Sequence, residues 1–131
     1  MVNIVVKNAG QEAYIREMEA ITYEDMSEMV GGYIECIRVA HSIDMWCNDC
    51  GKLENLPLNL VLGDEKGRKI LDTIQGDVFF ASHDGEGNTI GLTTAQIKWV
   101  MNNLNTGDYA VLDTSDGIDF IPVWTYNPTA S

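Results

Sequence analysis

The sequence predicts an α+β domain, a mostly antiparallel sheet carrying two short helices. Alternating or β-branched runs recur from Val2 to Trp124, the mark of strands. Only two segments, after Thr22 and after Thr93, place a capping residue ahead of helical spacing. Strands and helices nowhere alternate in the βαβ rhythm that a parallel sheet requires. At 131 residues the chain has room for one domain with a real core and no disulfide staples. That domain is expected to span 1–125, with 126–131 as a flexible tail.

The elements follow in order. Val2, Ile4 and Val6 alternate with polar residues, the chain turns at Asn8-Ala9-Gly10-Gln11, and a second alternating run covers Glu12 to Glu19, which together read as a hairpin. Thr22 then caps a two-turn helix with Met26, Met29 and Val30 on one face, acids at its positive end, and Gly31 or Gly32 as a left-handed exit. Tyr33 to Val39 and Ile43 to Cys47 are strands paired across Ala40-His41-Ser42, followed by a turn at Asn48-Asp49-Cys50-Gly51 with left-handed candidates. Leu53 to Leu62 is apolar, but Pro57 argues against a central strand. The state of Arg68 to Ile74 is open, whereas Asp77 to Ala81 reads as a buried strand. Thr93 and Gln96 fit a capping box ahead of an apolar stripe at Ile97, Val100, Met101 and Leu104. Tyr109–Leu112 and Ile118–Trp124 form a second hairpin around Asp113-Thr114-Ser115-Asp116-Gly117.

Composition excludes several functions. No apolar run reaches the roughly 18 to 20 residues that cross a bilayer, and the N-terminus does not read as a secretory signal. Three cysteines make no disulfide framework, so a reduced, cytoplasmic protein without a membrane partner is expected. Twenty acids against eight bases give a net charge of −12, a field that repels phosphates and argues against direct nucleic-acid binding. Such an excess keeps a small protein soluble, and it also suits the capture of a basic protein.

No motif assembles a catalytic centre, and no enzyme is expected. Cys47-x-x-Cys50 has zinc-knuckle spacing and could draw in Cys36 and His41, but those two form no second knuckle, so ordinary buried or turn cysteines are the simpler reading. No helix N-terminus follows the pair to lower a thiol pKa. Asp84 to Ile90 imitates a calcium loop, yet Thr89 occupies the glycine position and Ala95 that of the bidentate glutamate. His83 and Asp84 are neighbours on a strand and so point to opposite faces, which leaves His83 an exposed residue with a local role. Neither a nucleophile elbow nor a phosphate-binding loop is present. No cofactor and no metal is therefore expected. Lys66, Arg68 and Lys69 form the single basic cluster, either a charged loop tip or a phosphate contact.

One set of fragments is specific in its order. Val30-Gly-Gly-Tyr-Ile-Glu35, Cys47-Asn-x-x-Gly-Lys-Leu53, Leu56-Pro-x-Asn59, Asp64-x-x-Gly67, Ile74-x-Gly76, Val78-Phe-Phe80 and Leu92-Thr-x-x-Gln96 together resemble the "domain of unknown function 3846" family of phages and bacterial mobile elements. The resemblance covers about 27–100; the N-terminal hairpin and helix share the family's layout, and 105–131 look like an extension. Cys50 stands where an acidic or polar turn residue is expected. The signature has an architectural reading, with Gly31-Gly32 ending a helix and Asn59 bonding free backbone groups beside Pro57. If it marks a site instead, Tyr33, Glu35 and Asn59 are its surface candidates.

The resemblance implies an accessory protein, cytoplasmic in an infected or element-carrying bacterium, that counters host defence by binding a host factor through its acidic surface. The alternative is an oligomeric sponge for a small nucleotide immune signal, with Lys66, Arg68, Lys69 and Tyr33 or Trp46 supplying phosphate and base contacts. A small structural zinc module using Cys36, His41, Cys47 and Cys50 comes next, and an enzyme using His83, Asp84 and Glu86 ranks last.

Overall fold

A computed structural model describes residues 1–40, 42–64, 69–114 and 117–126. The chain runs β1 Val2–Lys7, β2 Tyr14–Met18, α1 Tyr23–Val30, β3 Ile34–Ala40, β4 Ile43–Asn48, β5 Leu58–Gly63 and β6 Ile70–Gln75. It continues through β7 Val78–His83, β8 Thr89–Ile90, α2 Thr94–Leu104, β9 Tyr109–Thr114 and β10 Gly117–Thr125. The strands form two sheets. The first has the order β2-β1-β7-β4-β3, with β8 paired to β7, and the second the order β6-β5-β10-β9. Among the described residues every pairing is antiparallel except β5 with β10.

Alternation along the first sheet gives it two buried faces. Ile4, Val6, Phe79 and Ala81 pack under Met26 and Val30 of α1. Val5, Met45, Val78 and Phe80 point the other way, against Leu60, Leu62, Ile74 and Trp124 of the second sheet and Val100 of α2. The two-turn α1 is too short to hold itself. Its capping box at Thr22 and Asp25 and its packing onto the sheet supply what its length does not.

The expected hairpins and both capping boxes are present. Several details differ. Residues 58–63 form an interior strand, flanked by β6 and β10, despite Pro57. Pro57 sits one residue before the strand, where its missing N–H costs no ladder bond, and its carbonyl accepts from Gly76 N–H at 2.8 Å. The undecided segment is β6 from Ile70 onward. No residue of Asn48–Gly51 is left-handed; in this stretch that conformation falls at Asn55 (φ 55°). Trp99, off the expected apolar stripe of α2, meets Trp124 edge-on at a centroid distance of 5.6 Å. Tyr126, assigned above to the tail, donates its N–H to Gly63 O and packs against the core, and 127–131 lie outside the described residues.

The signature fragments interlock. Gly31 makes the left-handed exit (φ 76°), and Gly32 leaves room for Asn48, whose Nδ2 would lie 2.9 Å from a Cβ there and donates to Val30 O. Leu56-Pro-x-Asn59 and Ile74-x-Gly76 meet likewise, since Asn59 Nδ2 donates to Gly76 O at 2.8 Å. Gly76 has φ 89°, and a Cβ added to it would lie only 2.9 Å from Leu56 Cδ1. Gly76→Ala is therefore expected to destabilise by about 1–2 kcal/mol, read as a lowered urea midpoint at unchanged slope.

Candidate functional site

At the seam between the sheets the edge strand β6 comes against β4, beside the edge strand β3, and the seam holds an acidic recess of about 340 Å³. Glu35 enters it from β3, opposite Cys47 in register, and Asp49 from the turn after β4. Asp72 enters from β6 and Lys52 from the loop between β4 and β5, and these two form an ion pair. Leu53, 89 % exposed, stands on the rim. Desolvation raises the Glu35 pKa above the usual carboxylate value, a hydrogen bond and the charge of Asp49 raise it further, and Asp72 adds to this while Lys52 opposes it. For Asp72, desolvation pushes the carboxyl up, but the bonds from Lys52 and Thr73 N–H and the Lys52 charge together outweigh it and hold the carboxyl low. Three carboxylates thus face one lysine. The arrangement can accept a cationic group.

A second cluster lies on the α1 face of the first sheet. His83 Nδ1 is 2.7 Å from Asp44 Oδ2, and Arg38 Nε is 3.8 Å from Asp44 Oδ1. Asp44 is buried, and its Oδ1 has no hydrogen-bond partner among the described residues. β7 ends at His83, so Asp84 lies in the loop beyond it, and His83 is not left to solvent. β4 and β7 are neighbours, with Asp44 opposite Ala81, and this brings the Asp44 carboxylate to the His83 ring. Burial, then the Asp44 charge, pushes the neighbouring Cys36 thiol up to about 11. A thiol held protonated is a poor nucleophile at neutral pH.

The other expected site residues scatter. Tyr33 is exposed and stays near the recess, its carbonyl accepting from Asp49 N–H at 2.9 Å. Trp46 is half-buried and stacks on Phe79 with centroids 6.5 Å apart. Asn59 is not on the surface. It is 1 % exposed, and a register break at Asn59 in the β5–β6 ladder leaves its side chain to bond Lys7 O, Gly76 O and Lys7 Nζ. Lys69 is exposed, and Lys66 and Arg68 lie outside the described residues. Nothing local in the sequence marks Asp72 and Lys52, because their meeting depends on the loop after β4 folding against an edge strand of the other sheet. Nor does anything in its alternating strand mark Lys7 as a buried ammonium.

Two of the three cysteines point apart. Cys36 and Cys47 occupy adjacent registers on paired strands and therefore point to opposite faces. Burial, then the nearby Glu35 charge, pushes Cys47 up to about 12. No group of three or more potential ligands is found among the described residues, which leave out His41. In the loop after β7, Asp84 spends its carboxylate on Glu86 N–H, Asn88 N–H and Asn88 Nδ2, and the Asn88 side-chain bond chiefly holds its pKa low. Among the described residues no helix is long and apolar enough to cross a membrane.

Fold and sites together define a small two-sheet domain with two helices packed on it and polar recesses along the seams between its layers. Residues 2–105 match the family model described as "Domain of unknown function (DUF3846)", and the chain belongs to that family. The match takes in the N-terminal hairpin and stops before β9 and β10. No curated protein and no solved structure matches the chain.

Proposed function

We propose that this protein is a non-enzymatic binding protein that engages a basic partner through its acidic surface, with the Glu35 recess receiving a lysine or arginine side chain. The observation that carries the reading is the imbalance at the seam: Glu35, Asp49 and Asp72 surround the single Lys52, with Leu53 exposed beside them. A guanidinium or ammonium entering there relieves repulsion among partly desolvated carboxylates and forms charge-assisted hydrogen bonds. The net charge of −12 adds long-range attraction that raises the on-rate. The resemblance to proteins of phages and mobile elements supports a host defence protein as the partner, and an anti-defence role in the bacterial cytoplasm.

A pull-down from bacterial lysate at low and moderate salt tests this, comparing the wild type with Glu35→Gln/Asp49→Asn/Asp72→Asn. The expected result is one basic protein retained by the wild type and bound about tenfold or more weakly by the variant. Equal retention by both, or no retained protein at either salt, rules the reading out. Calorimetry with the purified partner adds a signature. The Glu35 pKa is raised in the free protein and a cation lowers it, so binding near that pKa releases protons, and the measured heat varies with buffer ionisation enthalpy.

A further inference from the structure

We propose that Lys7 and Asn59 form the floor of a second binding site, for a small organic anion: a carboxylate or phosphate monoester carried on a flat apolar body. The site lies between the β1–β2 turn and the β9–β10 hairpin, and it shares no lining residue with the Glu35 recess.

Lys7 carries the argument. It is 5 % exposed, unusual for a lysine without a counter-ion. An ammonium has three N–H donors. Lys7 Nζ uses two, on Asn59 Oδ1 at 2.9 Å and Asn8 O at 3.1 Å, both uncharged acceptors. Among the described residues no carboxylate lies within ion-pair distance of it. Asp77 acts on it from further away, and its Oδ1 accepts from Ala9 N–H. One donor and most of one positive charge are thus left over in a desolvated place, where an anion gains most. Burial also pulls the Lys7 pKa below its usual value, the mark of a charge whose surroundings do not balance it.

The space and its walls define the rest of the ligand. Lys7 and Asn59 line a cavity of about 240 Å³, walled by Leu58, Tyr109, Phe120 and Pro122. Tyr109 pairs with Pro122 and Val111 with Phe120, so these side chains share one face of the hairpin. Tyr109 and Phe120 remain 58 % and 68 % exposed. Two large apolar side chains left to solvent beside a buried cation fit a ligand with a ring at one end and a negative charge at the other. Glu12 at the lining disfavours a polyanion, and so does the overall charge. The cavity also adjoins a wider cleft of about 620 Å³ through Leu58, Phe120 and Ile121, which leaves room for a ligand to extend.

The test is an NMR titration of the full chain with benzoate, phenyl phosphate, benzyl alcohol and inorganic phosphate. Benzoate or phenyl phosphate is expected to saturate, with shifts concentrated at Lys7, Asn59, Tyr109 and Phe120. Benzyl alcohol, which lacks the charge, and inorganic phosphate, which lacks the ring, are expected to bind about tenfold or more weakly. Preference between the two anions assigns the carboxylate or the phosphate. Lys7→Met is expected to abolish the preference for anions over the alcohol. Phe120→Ser, which touches neither hydrogen bond of Lys7, keeps the test valid if Lys7→Met does not fold, and it is expected to weaken both anions. No saturation by either anion at millimolar concentration, equal binding of benzyl alcohol, or unchanged binding by Phe120→Ser would overturn the proposal.

Discussion

Asn59→Ala is expected to cost about 3–5 kcal/mol of folding stability, the range for leaving a buried charge without its partner. Asn59 closes three hydrogen bonds at once, accepting from Lys7 Nζ and donating to the carbonyls of Lys7 and Gly76. Alanine removes all three and leaves an ammonium and two carbonyls short of partners in a place water reaches poorly. Urea unfolding followed by tryptophan fluorescence and circular dichroism measures the loss. A change below about 1 kcal/mol, the cost of one ordinary hydrogen bond, would mean that solvent replaces the asparagine.

The same network predicts a pH dependence. Lys7 titrates below its usual value in the folded protein, so between that lowered pKa and the unfolded one the unfolded chain holds more protons. Stability therefore rises with pH across this alkaline window. Unfolding free energies of the wild type minus those of Lys7→Met isolate the contribution, which is expected to grow as pH increases. A flat difference would show that the ammonium is better compensated than its partners suggest.

The second large effect is expected from the C-terminal hairpin. Trp124→Ala should cost about 3–5 kcal/mol, and deletion of 106–131 should abolish cooperative unfolding. Trp124 has no exposed surface. It stacks on Phe80 with centroids 5.0 Å apart and receives the edge of Trp99. Its strand lies against β5 from Val61 to Gly63, so its removal also opens the interior edge of the second sheet. The family match ends at residue 105, yet the core of this chain is completed by a residue beyond it. A truncated chain that unfolds cooperatively at the full-length midpoint would show the hairpin to be an addition to a self-sufficient domain.

Much of the local structure is legible in the residues themselves. Thr22 and Thr93 mark both helix starts, the pair Gly31-Gly32 marks the first exit, and alternation marks the hairpins, because each pattern repeats within a few positions of its own cause. The sites are less legible. Glu35 and Tyr33 point to the recess, but Asp72 joins it only because β6 comes against the first sheet, and Lys52 only through the loop after β4. His83 looks solitary until β7 settles beside β4 and Asp44 reaches it. Pro57 misleads because its effect depends on whether it stands in a ladder or one residue before it.

By itself, then, the sequence determines the family, the α+β class, the strand and helix inventory of most of the chain and its acidic character. Tertiary structure alone decides that β10 leaves its hairpin partner on one side to run parallel with β5 on the other. It also decides that Lys7 is buried and that Asn59 is spent on holding it. The physical reason is range. Caps, turns and periodicity act over a few residues, whereas Lys7 and Asn59 are 52 positions apart, and no local pattern records which distant acceptor a buried donor finds.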